Sequence, residues 1–379
     1  MLRAVSDAAM DALGPARAPP IGDRPLDRVL VVRFGGIGDV VATTALVATL
    51  RRERPAASVT VVTSPPSEAV LAGHPAIDVV VAGPEITAGP RFAGLVPAWR
   101  RMRALSRVPW DAAFLTHGDV YRLAPALALR ARWKIGFDYG GRGRGTGLTH
   151  AVAVFDRRDA RHRPPARPTL AETMVDLLRA LLGRDVAAAP ARIHLAPEEH
   201  AQAAARLSAL GLRAPFVAMA PGATLPVKRW PADAFAAVAH RLARSGIATL
   251  VVGAGDDRAV AATVTAAAPD ARSVAGTLPL RDSLALLAAA SVVVGGDTGL
   301  VHAGAALGRP TVALFGPTDP YVYGQAGPGH AILTADLACR PCDRMECAIA
   351  PEAAVPPCLA AVGPEAVAAA VEAVVAAQG

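Results

Sequence analysis

Short runs of consecutive apolar residues recur along the chain, each closed by a glycine- or proline-bearing turn and followed by a stretch with helical spacing. In the first half the runs Arg28 to Arg33, Ser58 to Thr63, Asp78 to Val81, Asp111 to Thr116 and Lys134 to Phe137 predict strands. The segments between them predict helices over Val40 to about Arg54, Ser67 to Ala72, Phe92 to Ser106 and Val120 to Arg132. Gly140 to Gly147 reads as a glycine-arginine loop and Arg157 to Pro168 as a proline- and charge-rich stretch, before a helix over Leu170 to Leu182. After Gly183 to Pro197 the pattern restarts. Helices are expected over Glu198 to Leu210, Ala232 to Ser245, Ala259 to Ala267 and Asp282 to Ala289, with strands at Phe216 to Ala220, Ala248 to Val252 and Arg272 to Val274. Strands that alternate with helices belong to parallel sheets covered by helices on both sides. Two such series in one chain predict an α/β protein of two Rossmann-like domains.

The most informative unit runs from Ser291 to Pro320. Val292 to Val294 leads into Gly295-Gly296, the polar elbow Asp297-Thr298-Gly299, and a short helix that begins near Leu300 and closes at Gly308 and Pro310. Thr311 to Phe315 reads as the next buried strand. A strand that feeds a glycine turn into a helix aims backbone N–H groups at one spot, where the helix dipole favours an anion such as phosphate. In doubly wound sheets ligands bind beyond the carboxyl ends of the strands, and the turns at Gly35, Gly222, Gly253 and Gly296 all lie there. A bland alternative is an ordinary strand-turn-helix connection with a surface aspartate.

Length and composition fix the class. A chain of 379 residues exceeds one ordinary core, and 53% hydrophobic against 19% charged residues describes a well-buried globular protein. No apolar run reaches the roughly 18 residues of a membrane helix. Residues 1–26 carry scattered charge and prolines without an apolar signal core, so they read as a flexible extension and the location as cytoplasmic. The net charge of +7 is uneven: Arg91 to Arg167 holds 16 Arg and Lys against 5 Asp. That excess suits a phosphorylated saccharide or an anionic membrane surface at the inner face; a solvated arginine-rich face is the plain alternative. Aromatics are 4% and not interleaved with the basic run, which argues against nucleic acid.

A dinucleotide oxidoreductase fails on detail. Gly36-Ile37-Gly38 would need Gly or Ala at position 41, where Val41 stands, and the second strand ends in Thr63-Ser64 without an acid for a ribose. No phosphate-loop motif of the Walker type occurs. Four segments in order instead resemble glycosyltransferase family 9, the ADP-heptose:lipopolysaccharide heptosyltransferases. They are RFGGIGDVV from Arg33, APGATLPVKRW from Ala220, VVGAGDDRAVA from Val251, and GDTGLVHAGAALGRPTVALFGPTDP from Gly296.

The resemblance implies a GT-B fold: an acceptor domain over 27–183, a linker over 184–197, a nucleotide-sugar domain over 198–362, and a helix over 363–379 crossing back to the first domain. It also implies an inverting transfer of heptose from an ADP-sugar donor to a saccharide or glycolipid acceptor, with no cofactor. Asp39 is then the general base, at the start of a helix whose turn carries Gly36 and Gly38; a simple helix cap is its alternative. Lys228 meets the donor diphosphate, Thr224 the nucleotide and Asp257 the ribose, with Asp256 as a rival for that role. Thr298, Gly299 and Leu300 offer backbone N–H groups, Asp297 accepts sugar hydroxyls, and His302 either orients the loop or touches the donor. Cys339, Cys342, Cys347 and Cys358 match no standard zinc-finger spacing, so no metal is assigned, although a metal or iron–sulfur cluster is the alternative they raise. Two other readings keep a hold on the sequence: the same fold glycosylating a small metabolite or using another nucleotide sugar, and a non-catalytic or metal-cluster-bearing binding protein.

Overall fold

Short apolar runs become the strands of two parallel sheets. The computed structural model describes residues 18–83, 95–117, 128–139, 147–154, 169–325 and 327–378, and the chain divides into units 1–194 and 195–379. The first unit holds β1 (Arg28–Arg33), α1 (Ile37–Glu53), β2 (Ser58–Thr63), the short α2 (Glu68–Leu71), β3 (Val79–Ala82), α3 (Leu95–Leu105), β4 (Trp110–Leu115), β5 (Ala131–Tyr139), β6 (His150–Val154) and α4 (Leu170–Leu182). Its strands pair in the order β3-β2-β1-β4-β5-β6. The second unit holds α5 (Pro197–Ala209), β7 (Phe216–Ala220), α6 (Ala232–Arg244), β8 (Ala248–Val251), α7 (Arg258–Ala267), β9 (Arg272–Ser273), α8 (Leu280–Ala289), β10 (Val292–Gly296), α9 (Gly299–Ala306), β11 (Thr311–Phe315), α10 (Pro320–Tyr323), β12 (His330–Thr334), α11 (Pro357–Ala360) and α12 (Pro364–Ala376). Its order is β12-β11-β10-β7-β8-β9, the same winding repeated.

In both sheets the winding reverses beside the first strand of the unit, between β1 and β4 and between β7 and β10. The chain leaves those neighbouring strands in opposite directions across the sheet, which opens a crevice at their carboxyl ends. Each β1 residue from Val29 to Val32 is at most 2% exposed, as a strand covered on both faces requires. In the second unit Trp230 is buried against Phe235 with rings 4.8 Å apart and edge-on, and its Nε1 donates to the Val362 carbonyl. Val367, Ala368 and Val371 of α12 enter the same core.

Several expectations shift. The helix expected to run through Arg132 gives way to strand at Ala131, so β5 begins earlier than its apolar run; alanine and arginine favour helix locally, but pairing of Ala131 with Trp110 on β4 decides the conformation. The Gly140–Gly147 loop and Arg157–Pro168 stretch fall almost wholly outside the described residues. β6 was not anticipated. Residues 18–26, expected to be part of a flexible extension, are anchored: the Ile21 N–H donates to the Leu181 carbonyl and Ile21 and Leu26 are buried. The expected linker over 184–197 is also corrected. Its residues 184–194 belong to the first unit, because Ala189 and Arg192 donate backbone N–H bonds to Thr49 Oγ1 and Thr44 Oγ1 on α1. The terminal helix packs on α6 and the second sheet, fastened by Arg241 to Glu372 at 2.7 Å.

Residues 184–194 end at His194, which is half-buried against the buried His74. His74 is 4% exposed, its Nδ1 accepts the Ala76 N–H, and its ring meets His194 edge-on at 4.7 Å. Burial, aided by the charge of His194, pushes His74 down to about 4 from 6.5. A folded-state value below the unfolded one contributes stability above pH 6.5, and that contribution is lost as pH falls towards 4. The drop is worth roughly 3 kcal/mol. Denaturant titrations of the full chain across this window should therefore show a shallower acid loss for His74→Gln than for the native protein. Identical slopes would contradict the assignment.

Candidate functional site

Adjacent strands place distant residues together at the carboxyl edge of the second sheet. Gly295 on β10 pairs with Ala220 on β7, so the turns that follow the two strands emerge side by side. The turn after β7 ends in a single 3₁₀ turn, Pro226–Lys228. Lys228 Nζ thereby reaches Asp297 Oδ2 at 2.6 Å, although 69 residues separate them. Asp297 is 7% exposed and accepts two further bonds: Thr318 Oγ1 donates to Oδ2 at 2.7 Å, and His302 Nε2 lies 2.8 Å from Oδ1. Since the carboxylate accepts, His302 Nε2 carries a proton, and its Nδ1 lies 3.5 Å from the Gln325 amide nitrogen. Lys228 Nζ also stands 5.7 Å from the Tyr323 ring centre.

Burial alone would raise the Asp297 carboxyl, but the His302 bond and the charges of His302 and Lys228 hold it well below the usual carboxylate range. The network keeps a buried anion ionised and fixes the ammonium beside it. Helix α9 starts at Gly299, and Thr298 at its N-cap makes no side-chain capping bond. The first intrahelical bonds run from the Val301 and His302 N–H groups to the Thr298 carbonyl. The N–H groups of Thr298, Gly299 and Leu300 precede that ladder, at the positive end of the helix dipole.

Asp257 and Asp256 separate cleanly. Asp257 is half-buried and its Oδ2 accepts the Ala254 N–H at 2.8 Å, whereas Asp256 is exposed. Two glycines make room for the Asp257 carboxylate: a Cβ on Gly222 would lie 2.2 Å from its Oδ1, and one on Gly253 2.4 Å from its Oδ2. The carboxylate is thus held between the turns after β7 and β8. Thr224 lies exposed in the first of these turns.

The first unit builds a second cluster at its own switch point. Asp39 lies in the first turn of α1; Gly36 is the N-cap and makes no side-chain bond, so the helix-cap alternative for Asp39 falls away. Arg33, the last residue of β1, pairs with Asp39 Oδ1 at 2.5 Å and donates its other terminal nitrogen to the Thr116 carbonyl at the end of β4. The Phe34 N–H donates to His117 Nε2, and Ser64 Oγ accepts the Gly35 N–H at 3.3 Å. Gly35, at φ 148°, takes a conformation that other residues rarely adopt. Asp39 remains about one-third exposed while Arg33 is 8% exposed, so a buried cation orients a carboxylate that still meets solvent.

The family model described as glycosyltransferase family 9 (heptosyltransferase) matches residues 98–352. The chain belongs to glycosyltransferase family 9. Lipopolysaccharide heptosyltransferase 2 of Escherichia coli (strain K12) is 35% identical over 112 residues, 28% of this chain and 32% of that protein, so the alignment spans about a third of the relative's length. Among solved structures, the family 9 glycosyl transferase from Veillonella parvula DSM 2008 superposes with TM-score 0.75 at 21% identity, covering 95% of this chain and all of that one. E. coli heptosyltransferase WaaC with ADP-2-deoxy-2-fluoro heptose gives 0.62 at 21% identity over 82% and 93%. The fold is GT-B in class: two Rossmann-like units, each with its own parallel sheet.

In this family 9 chain the structure brings Lys228, Asp297 and His302 together, with the start of α9 following directly. It keeps Asp257 between two turns and Asp39 in the first unit. Sequence reasoning missed Thr318, Tyr323 and Gln325, which lie 20 or more residues beyond Asp297, and it missed Arg33, Thr116 and His117. His117 was the accessible one, since it directly follows a strand at the switch point. The four cysteines are free, from exposed Cys339 to buried Cys358, and among the described residues no three metal-ligating side chains are grouped to hold an ion.

Proposed function

We propose that the chain is an inverting glycosyltransferase that moves heptose from an ADP-activated donor to a saccharide acceptor of the lipopolysaccharide core. The observation that carries this reading is the Lys228–Asp297–His302 network at the β7/β10 switch point, directly before the start of α9. A fixed ammonium and free-pointing N–H groups are suited to a diphosphate, and both stabilise charge that grows as ADP departs. The relatives are named heptosyltransferases, and WaaC has been solved with an ADP-heptose analogue, which supports the same donor class here.

In the proposed reaction Asp39 accepts the proton of the acceptor hydroxyl. The acceptor oxygen forms its bond to the anomeric carbon from the face opposite the diphosphate, the bond from that carbon to the β-phosphate oxygen breaks, and ADP carries away the electron pair. Arg33 holds the carboxylate in place, and Asp257 receives the ribose hydroxyls of the donor. Asp297 has three protein partners on its two oxygens, so its first duty in this reading is to position Lys228, with one lone pair left for a sugar hydroxyl. The acceptor is a glycolipid at an anionic membrane surface, approached peripherally from the inner face. None of the helices among the described residues is long and apolar enough to cross a membrane.

Release of ADP from a panel of ADP- and UDP-sugars tests the donor, and use of UDP-sugars alone would sink it. The glycine pocket around Asp257 gives a sharper check. Gly222→Ala forces the carboxylate to move, so it should weaken ADP binding by about as much as Asp257→Ala does. Calorimetry that finds Gly222→Ala equal to the native protein would remove Asp257 from the ribose site.

A further inference from the structure

A shallow, open depression of about 550 Å³ lies at the edge of the first sheet opposite Asp39, where Trp110 and Ala131 begin β4 and β5. Six strand residues at about 3.3 Å each put it roughly 20 Å from the Arg33 edge, so it is not part of the proposed reaction site. Arg107, Arg130, Arg132 and Lys134 line it, and no acidic side chain does. Its walls are fixed: the Arg130 N–H donates to Ser106 Oγ at 3.0 Å, and Trp110 Nε1 donates to the Leu105 carbonyl at 2.7 Å. Arg132 lies over the Trp133 ring at 4.4 Å. Among the described residues no carboxylate pairs with Arg107, Arg130 or Arg132, and all three are exposed.

Helix α3 extends this face. Met102 is fully buried and Leu105 half-buried, while Trp99 and Arg103, four residues apart, are exposed, and the exposed Arg107 follows the helix into the depression. Trp99 is 49% exposed, with the Arg103 guanidinium 5.4 Å from its ring centre, and Arg100 is exposed beside it. An exposed indole flanked by cations is the composition of a bilayer-interface face, since the ring prefers the headgroup region and the arginines the lipid phosphates. A soluble phosphate would need the depression but not the indole.

We propose that this face docks on an anionic bilayer, with a lipid headgroup phosphate in the Arg107–Arg130–Arg132 depression and Trp99 at the interface. This rests on the peripheral-membrane reading above and says which surface performs it. The test is sedimentation of the full chain with vesicles of phosphatidylglycerol mixed into phosphatidylcholine, against phosphatidylcholine alone. The native chain should sediment only with the anionic vesicles, and less as salt rises from 0.1 M to 1 M. The triple variant Arg107→Ser, Arg130→Ser, Arg132→Ser should lower partitioning on the order of 100-fold, about fivefold per arginine. The corresponding triple lysine variant should retain most binding, and both should bind ADP as the native chain does, which shows that they fold. A serine triple that binds vesicles normally overturns this face while leaving the membrane reading intact. A native chain that ignores anionic vesicles overturns both. Binding of inorganic phosphate lost in the serine triple, without vesicle binding, would assign the depression to a soluble anion instead.

Discussion

Asp39→Asn should lower turnover by roughly 10²–10⁴-fold while leaving ADP affinity nearly unchanged. The asparagine keeps the shape and can still meet Arg33, but it cannot take the proton that the acceptor hydroxyl loses. Because Asp39 belongs to the first unit and the proposed nucleotide contacts to the second, the two effects should separate. Loss should appear in turnover, with little change in the ADP binding isotherm. Arg33→Ala is the companion variant: it leaves the carboxylate but frees its orientation, and Arg33 also ties the end of β1 to the Thr116 carbonyl. Near-normal transfer by Asp39→Asn would reduce Asp39 to a surface partner of Arg33.

Lys228→Ala should weaken ADP binding by roughly 10- to 150-fold, the equivalent of losing a charge-assisted contact of about 1.5–3 kcal/mol. Asp297 keeps His302 and Thr318 in that variant, so the second unit should stay folded and the defect should be one of affinity. Lys228→Arg should not rescue fully. The ammonium meets Asp297 as a point charge and also lies near the Tyr323 ring, a geometry that a planar guanidinium does not reproduce. Unchanged ADP affinity in Lys228→Ala, measured by calorimetry, would show that the diphosphate binds elsewhere.

The fold was legible where burial on both faces leaves a continuous apolar run. The bounds of β1, β2, β7 and β11 coincide with their apolar runs, and α4 with the segment closed by Gly183. Legibility failed where pairing overrides propensity, as at Ala131 to Trp133, or where a segment binds its neighbours through backbone groups, as at residues 18–26 and 184–194. Those contacts leave no periodic trace in the sequence.

The site followed the same division. Lys228, Asp297 and Asp257, the residues proposed for the donor site, stand out in the sequence because each follows a strand in a turn that the doubly wound order places at one edge. Their partners could not. Thr318 reaches Asp297 because β11 neighbours β10 and its following turn folds back, a fact of sheet order rather than of spacing. The choice of Asp257 over Asp256 likewise depends on the space left by Gly222 and Gly253, which only the packed structure displays. Asp297, expected to face a sugar, is first of all the anchor of its own network.

The most direct test of the account is transfer from ADP-heptose to a lipopolysaccharide-core saccharide, with the product's anomeric configuration read by NMR. The account predicts ADP as the second product and a heptosyl linkage of configuration opposite to that of the donor. A product that retains the donor's configuration, or transfer from UDP-sugars with none from ADP-heptose, would contradict it.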